Sequence, residues 1–174
     1  VAIIPARGGS KRIPKKNIKS FLGQPIINYS IVAAIQSGVF DKVIVSTDSE
    51  EIKSFAKKGG ADVPFMRPKS LATDEASTAV VLSHAVKWFQ NHGHKVEHFC
   101  CIYPTAPLLS PNSIRDGYNL ITSENVASVF CAPGNGGTAQ IAENIPINLS
   151  NQQEVIRVVK EKNIAIKRYR IGHL

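Results

Sequence analysis

The chain has 174 residues, 43% hydrophobic and 20% charged, enough for one soluble globular domain with a real core, and no apolar run approaches membrane-spanning length. A formal net charge of +8 favours anionic partners: nucleic acid, a membrane surface or phosphorylated small molecules. Aromatic content of only 7%, with no basic run interleaved with rings, weighs against a reader of single-stranded nucleic acid.

An apolar strand over residues 1–4 runs straight into the loop Pro5-Ala6-Arg7-Gly8-Gly9-Ser10-Lys11-Arg12-Ile13-Pro14-Lys15-Lys16-Asn17. Residues 1–20 carry Arg7, Lys11, Arg12, Lys15, Lys16 and Lys19 and no acid. Glycines let the backbone approach a ligand closely, and loop N–H groups with Lys and Arg suit phosphate oxygens. The loop therefore reads as a nucleotide-phosphate site, against the plainer alternative of a solvated basic turn. It has neither the G-x-x-x-x-G-K-[ST] spacing nor a G-x-G-x-x-G that opens a helix. Pro14 discourages an immediate helix, so the loop is expected to wrap over a triphosphate before the chain continues.

Phe21-Leu22-Gly23-Gln24-Pro25 reads as a turn, and residues 26–36 as a helix that Gly38 stops. Residues 42–46 read as a buried strand, Thr47-Asp48-Ser49 as the cap region of a helix Glu50–Lys58, and residues 61–65 as a further short strand. Asp48 reads as a cap rather than a nucleotide contact. The polar stretch Met66-Arg67-Pro68-Lys69-Ser70-Leu71-Ala72-Thr73-Asp74-Glu75-Ala76-Ser77-Thr78 leads into a helix Thr78–Asn91. Residues 98–103 form a continuous apolar strand that ends in the stiff loop Pro104-Thr105-Ala106-Pro107-Leu108-Leu109. Ligands of open α/β sheets bind beyond such strand ends. Ser110-Pro111 opens a helix to about residue 121, and residues 126–131 read as another strand. The alternation implies a three-layer α/β fold with a mainly parallel sheet. Cys100, Cys101 and Cys131 lack a C-x-x-C spacing, and His84, His92 and His94 lack metal spacing. Reduced, buried thiols and a cytoplasmic location are expected.

Three stretches taken together, the opening loop, the Arg67 to Thr78 stretch and Tyr103-Pro104-Thr105-Ala106-Pro107-Leu108, resemble the acylneuraminate cytidylyltransferases over about residues 1–130. These enzymes make CMP-activated nine-carbon acidic sugars. Tyr103 and Leu109 stand where sialic acid members usually carry Gln and Arg, and Cys100-Cys101-Ile102-Tyr103 is most similar to the pseudaminic acid branch. The resemblance implies a Rossmann-like nucleotide-diphospho-sugar transferase fold. It implies attack of a sugar anomeric hydroxyl on the α-phosphate of CTP, with release of pyrophosphate. Arg7 and Lys11 would serve the triphosphate in catalysis, with Ser10, Lys16 and Asn17 as further phosphate and nucleotide contacts. Arg67 would sit at the cytosine pocket with backbone groups of Ala6, Ala72 and Ala76. Ser77 and Thr78 either touch the nucleotide or cap the helix. Tyr103 and Thr105 would face the sugar, unless Tyr103 merely closes its strand. Lys15 and Lys19 read as solubility charges. Mg²⁺ is the implied cofactor with its ligands unknown, CTP and an acidic nine-carbon sugar are the implied partners, and neither a membrane nor a nucleic acid is expected.

From Val129 the sequence departs from this pattern, so the second half reads as truncated. The Asp pair for Mg²⁺ and the arm that makes the family a homodimer are not recognisable. Residues 126–166 instead resemble part of the N-terminal domain of glycinamide ribonucleotide synthetase, which suggests a chimera. Residues 1–130 are thus expected to form the nucleotide-binding domain, and residues 131–174 an atypical extension that adds to the same sheet. Two alternatives accompany the enzyme reading: a nucleotide-binding remnant without turnover, and a basic nucleic-acid-binding protein.

Overall fold

The computed structural model describes residues 1–123, 128–131, 139–141 and 169–173. Strand β1 (Ala2–Pro5) delivers the chain into the glycine-containing loop. A two-residue hairpin of β2 (Ser20–Phe21) and β3 (Gln24–Pro25) then leads into helix α1 (Ile26–Ser37). The expected turn over residues 21–25 is thus the tip of this hairpin, with Leu22 at φ 46° and Gly23 at φ 83°. Positive φ at both central residues matches the right-handed twist of the flanking strands. Gly38 ends α1 in the left-handed region at φ 70°, its N–H donating to the Ile35 carbonyl.

Strand β4 (Val43–Ser46) and helix α2 (Glu50–Lys58) follow. Glu50 and Glu51 in the first turn of α2 and Lys57 and Lys58 in the last complement its dipole. Residues 61–65 form no separate strand, contrary to expectation. They lie along β4 through isolated parallel bridges, Ile44 with Asp62 and Thr47 with Met66. Pro64 has no N–H for a continuous ladder. Helix α3 (Thr78–Asn91), strand β5 (His98–Ile102) and helix α4 (Pro111–Ser123) come next, then β6 (Ser128–Cys131), β7 (Ala139–Ile141) and β8 (Tyr169–His173).

The main sheet runs in the order β4-β1-β5-β8-β6-β7. β1 pairs in parallel with β4 and β5, placing Ile3 opposite Ile44 and Cys101. β8 is antiparallel to both β5 and β6, and β7 is antiparallel to β6. Four of the six strands therefore share one direction, with β8 and β7 running against them: the expected parallel sheet holds through β4, β1 and β5, and the pairings beyond β5 are antiparallel.

Alternation along the strands buries two faces. Ala2, Ile4, Val45, Cys100 and Ile102 pack with Ile27 and Ile31 of α1, Ile52 and Ala56 of α2, and Ile114 and Ile121 of α4. Ile3, Ile44, Phe99 and Cys101 pack with Leu82, Ala85, Val86 and Phe89 of α3. Ile3, Ile4 and Ile44 are fully buried, and such side chains each contribute about 1.5–3 kcal/mol. Cys100 and Cys101 are buried thiols on opposite faces of β5. The ligase-like resemblance over residues 126–166, including Pro133 to Gly137, falls almost entirely outside the described residues.

Candidate nucleotide site at the strand ends

Because β1, β4 and β5 are parallel, their C-terminal ends open on one edge of the sheet. The loop after β1, the turn after β4 and the loop after β5 all start there. The stretch beside β4 brings Arg67 to the same edge, its N–H donating to the Thr47 carbonyl at 2.7 Å. β1 has neighbours on both sides that arrive from opposite directions of winding, which makes its end a topological switch point.

In the loop, Arg7 and Lys11 converge on one carboxylate. Arg7 Nη2 meets Asp74 Oδ1, and Lys11 Nζ lies 2.7 Å from Asp74 Oδ2. Hydrogen bonds from Lys11 and then Arg7 hold the Asp74 carboxyl below its usual range, and the Asp74 carboxylate raises the Lys11 ammonium. Asn17, in the 3-10 turn Lys16–Ile18, is 5% exposed. Its Nδ2 donates to the Arg7 carbonyl at 2.9 Å. Its buried Oδ1 has no partner among the described residues. A buried acceptor left unsatisfied is costly unless something else bonds it. The Gly8 N–H donates to Asp48 Oδ1 at 2.8 Å, and a side chain at Gly8 would press on the Ser49 Cβ at 3.0 Å. The cap of α2 is Ser49, whose Oγ accepts from the Ile52 N–H, so Asp48 holds the loop rather than the helix.

Lys15 pairs with Glu51 at 2.8 Å on the surface, in keeping with its reading as a surface charge. Lys16 is exposed, and Ser10 is half-buried with its N–H donated to the Gly8 carbonyl.

Arg67 is 5% exposed. Its Nε donates to Ser46 Oγ at 3.1 Å and its Nη2 to the Ser46 carbonyl, while no ion pair holds it among the described residues. Burial lowers its pKa, with Asp48 opposing and Arg7 adding to the shift. A guanidinium buried against neutral oxygens is kept at a cost that an electron-rich ligand would offset.

The N-cap of α3 is Ser77, whose Oγ accepts from the Val80 N–H at 3.2 Å. Thr78 is not the cap. Its hydroxyl lies 3.2 Å from the Tyr103 phenol, while the Tyr103 carbonyl accepts from the Ser30 hydroxyl at 2.9 Å. Tyr103 therefore does more than close β5. Of the backbone groups of Ala6, Ala72 and Ala76 expected to meet the base, the N–H groups are engaged within the fold: Ala6 with Ser46 O, Ala72 with Lys69 O, and Ala76 with Thr73 Oγ1. Thr105 is half-buried in the loop after β5. Leu109 lines a pocket of about 300 Å³ with Gln24, Asn28, Tyr29 and Pro107.

No group of three His, Cys, Asp or Glu side chains among the described residues could hold a metal ion. The carboxylates nearest the loop, Asp48 and Asp74, are already bonded, so the described residues do not by themselves build a Mg²⁺ site. Among these described residues no helix is long and apolar enough to cross a membrane. Sequence reasoning gave no role to Asp74 and the wrong one to Asp48. The available signal was complementarity: a loop without acids requires carboxylates from elsewhere, and Asp74 stands in the stretch already tied to the nucleotide.

Comparison with known proteins places the chain in a family. Residues 1–165 match the family model described as cytidylyltransferase. The chain is 46% identical over 132 residues to the pseudaminic acid cytidylyltransferase of Campylobacter jejuni, covering 76% of this chain and 57% of that protein. It is 37% identical over 131 residues to the CMP-N,N'-diacetyllegionaminic acid synthase of Legionella pneumophila, covering 74% and 56%. The chain thus spans just over half the length of these curated relatives. Among solved structures, the CMP:2-keto-3-deoxy-manno-octonic acid synthetase complexed with CTP superposes with a TM-score of 0.63 at 18% identity, over 99% of this chain and 73% of that one. The fold, the loop and the sequence matches together show that this chain belongs to the cytidylyltransferase family.

Proposed function

We propose that this chain takes part in the transfer of CMP from CTP to a pseudaminic-type nonulosonic acid, with release of pyrophosphate. The observation that supports this best is the convergence of Arg7 and Lys11 on a single carboxylate at the end of β1. Two cations set to share one anion are the arrangement a polyphosphate needs. The 46% identity to a pseudaminic acid cytidylyltransferase supports the choice of sugar class, as does Tyr103 in the loop after β5.

In the proposed reaction the anomeric oxygen forms a bond to the α-phosphorus of CTP, and the bond from that phosphorus to the bridging oxygen of pyrophosphate breaks. The proton of the anomeric hydroxyl passes to solvent. Arg7 and Lys11 neutralise charge that builds on the phosphate oxygens, an effect strongest where water is excluded. Arg67 and Asn17 position the nucleotide. Mg²⁺ would arrive with the triphosphate and offset part of its charge. A cytoplasmic setting fits CTP and the buried thiols Cys100 and Cys101.

Calorimetric titration with CTP, with ATP as the control and Lys11→Ala beside wild type, tests the nucleotide half. Selective CTP binding that weakens about 10- to 100-fold in Lys11→Ala is expected for a charged phosphate contact. Pyrophosphate release on adding a nonulosonic acid tests the transfer. Equal binding of CTP and ATP would sink the cytidine reading.

A further inference from the structure

Arg7 and Lys11 share the two oxygens of one carboxylate, that of Asp74. Asp74 presents Oδ1 to the guanidinium and Oδ2 to the ammonium, bridging two cations that come from a different segment. It stands in an irregular stretch between a 3-10 turn at Lys69–Leu71 and the Ser77 cap of α3. The neighbouring acid Glu75 makes no ion pair with Arg7 or Lys11, and its charge reaches Lys11 only at longer range than that of Asp74. Only Asp74, of the two, sits on the cations.

We propose that Asp74 is an internal competitor for the polyphosphate seat: it closes Arg7 and Lys11 when no ligand is bound, and only a polyanion displaces it. The inference rests on the reading of these cations as a phosphate seat. One carboxylate carries a single charge, so a triphosphate outbids it through extra charge and extra oxygens, whereas a lone carboxylate or phosphate ligand exchanges like for like. Once pyrophosphate departs, the return of Asp74 disfavours its rebinding. Asp74 thereby sets the charge threshold for entry to the site and is a specificity-determining residue for it.

The probe is inorganic tripolyphosphate, which has no base and so reads the seat alone. Asp74→Asn is expected to tighten tripolyphosphate binding by about three- to tenfold, the loss of two exposed ion pairs. Glu75→Gln removes the same charge one residue away and is expected to change it by less than about twofold, since long-range fields at an exposed site are screened. The gain is expected to shrink when Lys11→Ala is added. Weaker binding in Asp74→Asn would overturn the inference, because Asp74 would then be helping the ligand. Equal gains in Asp74→Asn and Glu75→Gln would also overturn it, because a general field would suffice. Asp74 is exposed and its replacement removes no core contact; Asp74→Ser is a second variant with the same expectation. If wild type selects CTP while Asp74→Asn gains nothing, this inference fails and the cytidylyltransferase reading stands. If Asp74→Asn gains for tripolyphosphate while CTP and ATP bind alike, the reverse holds.

Discussion

The Thr78 hydroxyl and the Tyr103 phenol lie 3.2 Å apart, joining the first residue of α3 to the loop that follows β5. In the proposed reading one side of this bond faces the nucleotide and the other the sugar. A neutral hydrogen bond of this kind contributes about 0.5–1.5 kcal/mol. In the proposed reaction Tyr103→Phe is expected to raise the sugar KM by about two- to tenfold while CTP affinity changes little, which steady-state kinetics beside a CTP titration will read. Thr78→Val should reproduce part of that effect. A Tyr103→Phe variant that loses CTP affinity and keeps its sugar KM would place Tyr103 on the nucleotide instead.

Arg67 has a structural duty at Ser46 and, in the proposed reading, a binding one. Replacing it with Met leaves the Ser46 hydroxyl without this donor and the Ser46 carbonyl with only the Ala6 N–H. Such a loss costs about 1–3 kcal/mol, partly offset by relief from burying a charge. The expected result is a modest drop in the urea midpoint and a loss of CTP binding of at least about tenfold. Full CTP affinity in Arg67→Met would remove this residue from the site.

His84 on α3 gives the fold a dependence on pH. Burial, then the neighbouring Arg67, lowers its pKa, its buried Nδ1 lacks a partner among the described residues, and its ring packs edge-on against Phe65 at 4.9 Å. The unfolded chain therefore takes up a proton near pH 6.5 before the folded chain does. Stability is full above that value and falls as pH drops below it, until the folded pKa is passed. The urea midpoint should be lower at pH 5.5 than at pH 7.5, and His84→Phe should flatten the difference. An unchanged slope in that variant would assign the dependence elsewhere.

The shared carboxylate of Asp74 behaves in the opposite part of the pH range. Its pKa is lowered and that of Lys11 raised, so the pair is intact across neutral pH and is lost only on acidification through the Asp74 pKa. Tripolyphosphate affinity of wild type and Asp74→Asn should therefore differ by the same factor at pH 6.5 and pH 8.5. A factor that varied between these values would implicate another titrating group.

Helices were the most legible elements. Glu50–Lys58 and Thr78–Asn91 follow from apolar spacing, a serine cap and a glycine or polar stop, and the structure keeps those bounds. The identity of the cap was less legible, because Thr47, Asp48 and Ser49, or Ser77 and Thr78, offer the same chemistry and only the backbone trajectory chooses among them. Residues 61–65 look like a strand because they do run along β4, yet Pro64 breaks their ladder into isolated bridges. The cations of the opening loop were plain from composition. Their partner was not, because Arg7 and Asp74 are separated by 67 positions and no local pattern links them.

The position of β8 in the sheet bears on how the protein is made. β8 follows every other described strand in sequence, yet it lies between β5 and β6 and is hydrogen-bonded to both. On the ribosome, β4, β1 and β5 can assemble early, but the β6–β7 pair has no strand to join until β8 emerges. Until then β5 exposes an apolar edge, Phe99 to Ile102, that would pair with any available strand. Long-range closure of this kind is slow and leaves intermediates open to aggregation. Folding of this chain should thus depend on chaperone cover until residues 169–173 are available to pair, and a chain cut shortly before residue 169 should be insoluble.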